Sequence, residues 1–185
     1  MTDSEKIVLG SGSLYIMEFT GTIPENTVIE TEENRLGYIQ GGASLEYKPE
    51  TYTAEDDLGF VSITKLTKET VALKSGVMTW HGETLKKLCS TARVTEDTSK
   101  KIRTVKIGGI NNQDGKNYVI RFIQDDPKSG TIRVTIVGKN TVGITLAWAK
   151  DKETVVDAEF TATPLDSDGT LVIYEEDILE EAVGG

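Results

Sequence analysis

Apolar and polar residues alternate along most of this chain with a period of two, the spacing that sends successive side chains to opposite faces of a β-strand. From Gly37 to Trp80 the alternation is nearly continuous: Ile39, Ala43, Leu45 and Tyr47 fall on one face, and Gln40, Ser44, Glu46 and Lys48 on the other. After a polar loop, Val61, Ile63, Val71 and Leu73 keep the pattern. This predicts a long antiparallel ribbon with one packed face and one wet face. Further strands are predicted around Leu14 and Ile16, Tyr118 to Phe122, Ile132 to Ile136, Val142 to Trp148, Val156 to Phe160 and Leu171 to Tyr174. Turn-forming residues lie between them, at Asp57-Leu58-Gly59, Asn111 to Gly115, Asp125 to Gly130, Gly138 to Asn140 and Asp166 to Gly169. Many strands joined by tight turns predict an all-β antiparallel sandwich or barrel.

One segment breaks this rhythm. Leu85, Leu88, Cys89 and Ala92 recur at helical spacing with Lys86 and Lys87 outward, which predicts one short amphipathic helix lying against the sheets. The polar, Thr-rich stretch from Arg93 to Lys101 is expected to be a loop leading to a strand near Ile102. No linker divides the chain, so residues 1–185 are expected to form a single domain. Residues 1–5 are expected to be a mobile N-terminus and residues 175–185 an acidic C-terminal tail ending in Gly-Gly.

At 185 residues the chain can bury roughly 70% of its unfolded surface, and it is expected to fold without metal or disulfide. Its net charge of -10 opposes any function that depends on neutralising phosphates, so tight binding of nucleic acid is not expected. The single Cys89 cannot form an internal disulfide, and the opening residues lack a basic and then apolar signal, which predicts synthesis in a reducing cytoplasm. Apolar runs fall well short of the ~20 residues that cross a bilayer, so no membrane association is expected.

Catalytic candidates are few. His81 is the only histidine, and its place beside Trp80 and Gly82 at the start of the predicted helix assigns it a structural role over a catalytic one. Cys89 lies on the apolar face of that helix and reads as a small core residue. One His and one Cys supply too few ligands for a zinc site. Asp166-Ser167-Asp168-Gly169 opens like a calcium loop but lacks the later ligands, and a tight turn accounts for it. Asp125-Asp126 and Glu175-Glu176-Asp177 are read as solvated acidic surface, since neighbouring strand residues point apart. Trp80 and Trp148 could form a sugar platform, but Trp148 shares the parity of Val142, Ile144 and Leu146 and is read as core. No cofactor and no enzymatic activity are expected.

Several phrases, spread in order over nearly the whole chain, resemble the major tail tube proteins of long-tailed, siphovirus-type bacteriophages of Gram-positive hosts. They are Leu9-Gly10-Ser11-Gly12-Ser13-Leu14-Tyr15-Ile16, Gly41-Gly42-Ala43-Ser44-Leu45-Glu46-Tyr47-Lys48 and Lys74-Ser75-Gly76-Val77-Met78-Thr79-Trp80, followed by Ile132-Arg133-Val134-Thr135-Ile136-Val137-Gly138 and Asp168-Gly169-Thr170-Leu171-Val172-Ile173-Tyr174. The resemblance implies a β-sandwich flanked by one helix, self-association into stacked hexameric rings with long hairpins lining a lumen, and a place in the virion tail. It further implies a tape-measure protein, a distal initiator complex and a tail terminator as partners, with phage DNA passing through the lumen without specific binding. Roughly 24 strands spaced ~4.8 Å apart with a barrel-like tilt enclose a backbone diameter of about 40 Å, wide enough for a duplex once side chains line it. Ring closure would also protect the open strand edges.

Parity then assigns the wall. If Ile39, Ala43, Leu45 and Tyr47 face a core, Gln40, Ser44, Glu46 and Lys48 face the lumen, joined by Thr131, Arg133 and Thr135 of a later strand. Such a wall is polar, mixed or acidic, and does not hold DNA. Pro49, Glu50, Thr51, Tyr52, Thr53, Glu55, Asp56 and Asp57 are read as a polar loop for ring-to-ring contact, with Pro49 ending the strand. The alternative is a monomeric β-sandwich binding module, for example for carbohydrate, on a virion or cell surface; exposed aromatics gathered on one flat face would favour it. A β-class hydrolase is a further rival, without a nucleophile motif to support it.

Overall fold

The computed structural model of the chain describes residues 11–127, 130–151 and 153–178. Its architecture is all-β and antiparallel. Strands β1 (Ser13–Glu18), β2 (Arg35–Gly37), β3 (Ile39–Glu55), β4 (Ser62–Val77), β7 (Tyr118–Asp126), β8 (Gly130–Asn140), β9 (Val156–Thr163) and β10 (Ile173–Glu176) form an eight-stranded sheet in the order β2-β1-β7-β8-β9-β4-β3, with β10 added to β8. The strand β8 changes partner partway. Residues 132–135 pair with β10 and residues 137–140 with β9, so the sheet forks there. Gly138 sits at the fork, where a Cβ would stand 2.0 Å from the carbonyl oxygen of Thr161. Only glycine lets β8 and β9 approach this closely.

Registered partners share a face, so the ladders define both sides of the sheet. One side carries Leu14, Ile16, Ile120, Val134, Ile136, Phe160, Ala158, Leu73 and Val71, which form the main core with Leu88 of the helix α2 (Gly82–Leu88). Ile144, Leu146, Leu171 and Val172 pack over it from segments without strand pairing. The opposite side has a second, smaller core of Tyr15, Val119, Val137 and Ile29. Ile29 belongs to α1 (Asn26–Ile29), a single turn that covers β1, β7 and β8 but leaves β9, β4 and β3 open on that side.

The parity expected from the sequence matches most strands, and five expectations change. A second helix, α1, joins the one expected. Val142 to Trp148 is not a strand: Ile144 and Leu146 reach the core, but Trp148 is 75% exposed, because nothing covers that end of the segment. The stretch expected as a loop at 93–101 contains β5 (Arg93–Asp97), which pairs with β6 (Ile102–Lys106) in a separate hairpin against α2. Asp97 accepts from the backbone of Ser99 and Lys100 to close its turn, and those polar pairings hide the strand pattern. Glu175 and Glu176 belong to β10, opposite Arg133 and Ile132, rather than to a tail. The ribbon's apolar face is covered only in part, since β3 is the sheet's edge and leaves Leu45 and Tyr47 exposed. Residues 1–5 and 179–185 of the expected termini lie outside the described residues.

Candidate functional site

The most unusual element is the ribbon made by β3 and β4. The strand β9 pairs with β4 only over residues 72–77, whereas β3 and β4 stay paired out to Glu55 and Ser62. Their outer halves therefore form a two-stranded arm extending beyond the sheet. Eight residues of strand reach about 26 Å at ~3.3 Å per residue. Asp56 closes the arm's tip: its carboxylate accepts from the amide of Val61 at 2.7 Å, and its own amide donates to the carbonyl of Val61 at 3.0 Å. The Val61 bond, foremost among several backbone contacts, holds the Asp56 carboxyl below the usual range.

The residues read as a ring-stacking loop are therefore strand from Pro49 to Glu55, with only Asp56 and Asp57 in the turn. Pro49 does not end β3, because an edge strand tolerates a missing donor. One residue later the ladder slips: Glu50 pairs with Lys68 and Thr51 with Leu66, leaving Thr67 as a bulge whose hydroxyl donates to the Glu50 carbonyl at 3.0 Å. The extra residue reverses parity on β4, so Ile63 lies on the opposite face from Val71 and Leu73, contrary to the expected pattern. Large apolar groups crowd the arm's end, where Leu58, Phe60 and Val61 are all exposed, Phe60 by 82%.

A second feature is the polar face of β9, β4 and β3. Gln40, Ser44, Glu46 and Lys48 share it, as their parity predicted, with Lys74, Asp157 and Glu159. The Lys74 ammonium lies 3.0 Å from Glu46 and 3.4 Å from Glu159, and Lys48 lies 2.7 Å from Glu46. Hydrogen bonds from Lys48 and Lys74 hold the Glu46 carboxyl below its ordinary value, and Glu46 raises Lys74 in return. With Lys139 on the same face, three ammonium groups stand against the carboxylates of Glu46, Asp157 and Glu159. Glu153, which accepts from Gln40, adds a further carboxylate, so the face is mixed in charge, and its lysines of β3 and β4 are engaged by neighbours.

Thr131, Arg133 and Thr135 occupy this same side of the sheet, but not its open part. Thr135 is fully buried beneath α1 and accepts from Arg121 Nε at 3.0 Å, and Arg133 Nε donates to Glu30 at 2.8 Å. Glu30 raises the Arg133 guanidinium still further. Thr131 donates to Asp125 at 3.1 Å. Parity gave their side correctly; it could not show the helical turn lying over Thr135 and Arg133. Arg121, Asn26 and Glu30, which anchor that turn, were missed. Their signal is in β7, where Val119 and Ile123 are apolar at one parity and Ile120 and Phe122 at the other, the mark of a strand covered on both faces.

The remaining candidates take local structural roles. His81 caps α2 as its Nδ1 accepts from the Thr84 amide at 3.3 Å, while the Thr84 hydroxyl accepts from the His81 amide at 3.3 Å. Cys89 ends that helix, and burial pushes its thiol up. Asp166 closes a turn by accepting from the amides of Asp168 and Thr170, both at 3.0 Å. Among the described residues no helix is long and apolar enough to cross a membrane.

No family model matches the chain. No curated protein matches it. Among solved structures, the chain is similar to one from the virion of a native gene transfer agent particle, with 11% identity, 88% of this chain and 95% of that chain covered, and a TM-score of 0.41. It is also similar to one from the tail of an empty gene transfer agent particle computed with helical refinement and C6 symmetry, with 13% identity, the same coverage of 88% and 95%, and a TM-score of 0.41. These scores mark a loosely shared outline, and the functional reading rests on the chain's own ribbon and sheet.

Proposed function

We propose that the chain is a structural subunit that self-assembles into stacked hexameric rings of a phage-type tail tube, the conduit for DNA ejection, and that it carries out no catalysis. The observation that carries this reading is the arm. A two-stranded hairpin is marginal by itself in water, and this one ends in exposed Leu58, Phe60 and Val61 beside long unpaired edges. A free arm of this kind invites unwanted strand pairing unless another surface receives it. Docking on a further copy of the same chain supplies that surface at every position of a stacked array.

In this assembly the open face with Gln40, Ser44, Glu46 and Lys48 forms part of the lumen wall. Its lysines of β3 and β4 are already paired with carboxylates, which supports passage of DNA without the counterion release that accompanies tight binding. Thr131, Arg133 and Thr135 take no part in that wall. The arm, including Pro49 to Asp57, makes the contact between rings. A tape-measure protein within the tube, an initiator at its distal end and a terminator at the other are the partners this role requires, and the siphovirus type and Gram-positive host remain those of the sequence resemblance. The carbohydrate-binding alternative is not favoured: exposed aromatics are divided among β3 (Tyr47), the outer arm (Tyr52, Phe60), β10 (Tyr174), the β2–β3 junction (Tyr38) and the 141–149 segment (Trp148).

Electron microscopy of the concentrated protein, and of intact particles containing it, is the test. Six-fold tubes from the full chain are expected, and a variant with residues 51–66 replaced by a two-residue turn is expected to fold without forming them. Tubes of ordinary length from the shortened chain would remove the arm's role, and the absence of tubes in intact particles would remove the reading.

A further inference from the structure

A second unpaired surface in this chain is the segment of residues 141–149. Its sequence alternates as a strand does, with Val142, Ile144, Leu146 and Trp148 at one parity, and exposure alternates residue by residue from Gly143 to Ala147. Ile144 and Leu146 pack on the main core, which fixes the segment's position. Yet it has no strand beside it. Among the described residues, the amides of residues 143–149 donate to no backbone carbonyl; the segment's backbone contacts are the Val142 amide donating to Asn140 Oδ1 and two carbonyls, Gly143 accepting from the Asn140 side chain and Ala147 from the Thr154 hydroxyl. A chain stretch that has the side-chain pattern of a strand, an anchored position and free backbone donors is ready to accept a strand from outside.

We infer that residues 141–149 are the receptor for the β3–β4 arm of a second copy, an inference that rests on the self-assembly proposed above. Three observations select the arm as occupant. Its outer edge on β3 and the 62–70 edge of β4 are both free, and its paired length of about 26 Å matches the roughly 30 Å that nine extended residues span. Its tip presents Leu58, Phe60 and Val61, the apolar partners that exposed Val142 and Trp148 lack. Its turn is acidic, with Glu55, Asp56 and Asp57, and Lys150 follows the end of the receptor where Trp148 stands. Strand addition supplies backbone hydrogen bonds along the edge, and Trp148 closing over the tip supplies the large, low-entropy contact typical of interface anchors. One docking event thereby satisfies two exposed elements that the isolated subunit leaves uncovered.

Hydrogen exchange on the full chain tests the receptor. Amides of residues 143–149 are expected to exchange freely in the isolated subunit and about 100-fold more slowly in tubes. Unchanged exchange in tubes that have formed would overturn the receptor while leaving self-assembly standing. The occupant is tested by mixing two chains in a Cys89→Ser background, one bearing Trp148→Cys and the other Phe60→Cys, with Ala149→Cys and Leu58→Cys as a second pair where the first impairs assembly. Oxidation of mixed tubes is expected to give a dimer containing one chain of each kind. Protected amides without that mixed dimer from either pair would overturn the arm as occupant. Failure of the unmodified chain to form tubes, in solution and in particles, would remove the underlying reading and this inference together.

Discussion

Glu30 joins the turn of α1 to the sheet by accepting from Arg121 Nη1 at 3.1 Å, although Arg121 is only 2% exposed. The same carboxylate oxygen accepts from Arg133 Nε, and Asn26 and Thr135 take further Arg121 donors. Breaking a buried ion pair from one side leaves the other charge without compensation. Glu30→Ala is therefore expected to cost about 3 kcal/mol, seen as a lower urea midpoint with unchanged slope. A loss within experimental error would mean that Asn26 and Thr135 satisfy Arg121 without the carboxylate.

Gly138→Ala places a Cβ against the Thr161 carbonyl, where both groups are backbone and neither can swing aside. Destabilisation on the order of 3 kcal/mol is expected from such overpacking. Thermal unfolding followed by circular dichroism measures it, and a wild-type melting temperature would show that the fork of β8 opens freely.

His81→Ala removes the acceptor that caps α2 and is expected to cost about 1 kcal/mol, whereas His81→Asp keeps an acceptor and suits the helix's positive end. Chemical denaturation of both variants separates a cap from a catalytic or binding role. Equal losses in the two would argue against the cap.

Burial, helped by the nearby charges of Asp114 and Glu18, pushes the Tyr118 hydroxyl up to about 12 from an ordinary 10.0. The neutral phenol is thus favoured by the folded chain. Its contribution to stability is complete below pH 10.0 and is lost as pH rises from there towards about 12, since the unfolded chain releases its proton first. Phenolate absorbance is expected to show one late step that Tyr118→Phe abolishes. The persistence of that step in the variant would assign it elsewhere.

Much of this fold is legible in the sequence because a period of two fixes side. Leu14 and Ile16, Ile120 and Phe122, and Ala158 and Phe160 all face where alternation puts them. What alternation cannot give is cover. Leu45, Tyr47 and Trp148 have the right parity for a core and remain exposed, since burial depends on which element arrives from elsewhere in the chain. For the same reason Thr135 and Arg133, polar and outward by parity, lie beneath α1, a single turn too short to leave a helical period. β5 escaped because Arg93-Val94-Thr95-Glu96-Asp97 carries one apolar residue and so shows no alternation to read. Of the candidate wall, Gln40, Ser44, Glu46 and Lys48 were legible by side, but the pairing of Lys74 with two carboxylates depends on β9 arriving beside β4, a long-range contact that no local pattern encodes.

The bulge at Thr67 gives the arm a point of tolerance. Beyond it, the residues of β4 exchange faces while those of β3 keep theirs, so the sides of the outer part of β4 are set by the single extra residue between Leu66 and Lys68 and not by composition alone. Loss of Thr67 would restore a regular ladder with Leu66 still opposite Thr51, so a change of one residue at the bulge is absorbed without turning the arm's end over. A one-residue difference between the two strands is thus held at a single point, and the pairing of the arm's outer end is independent of it.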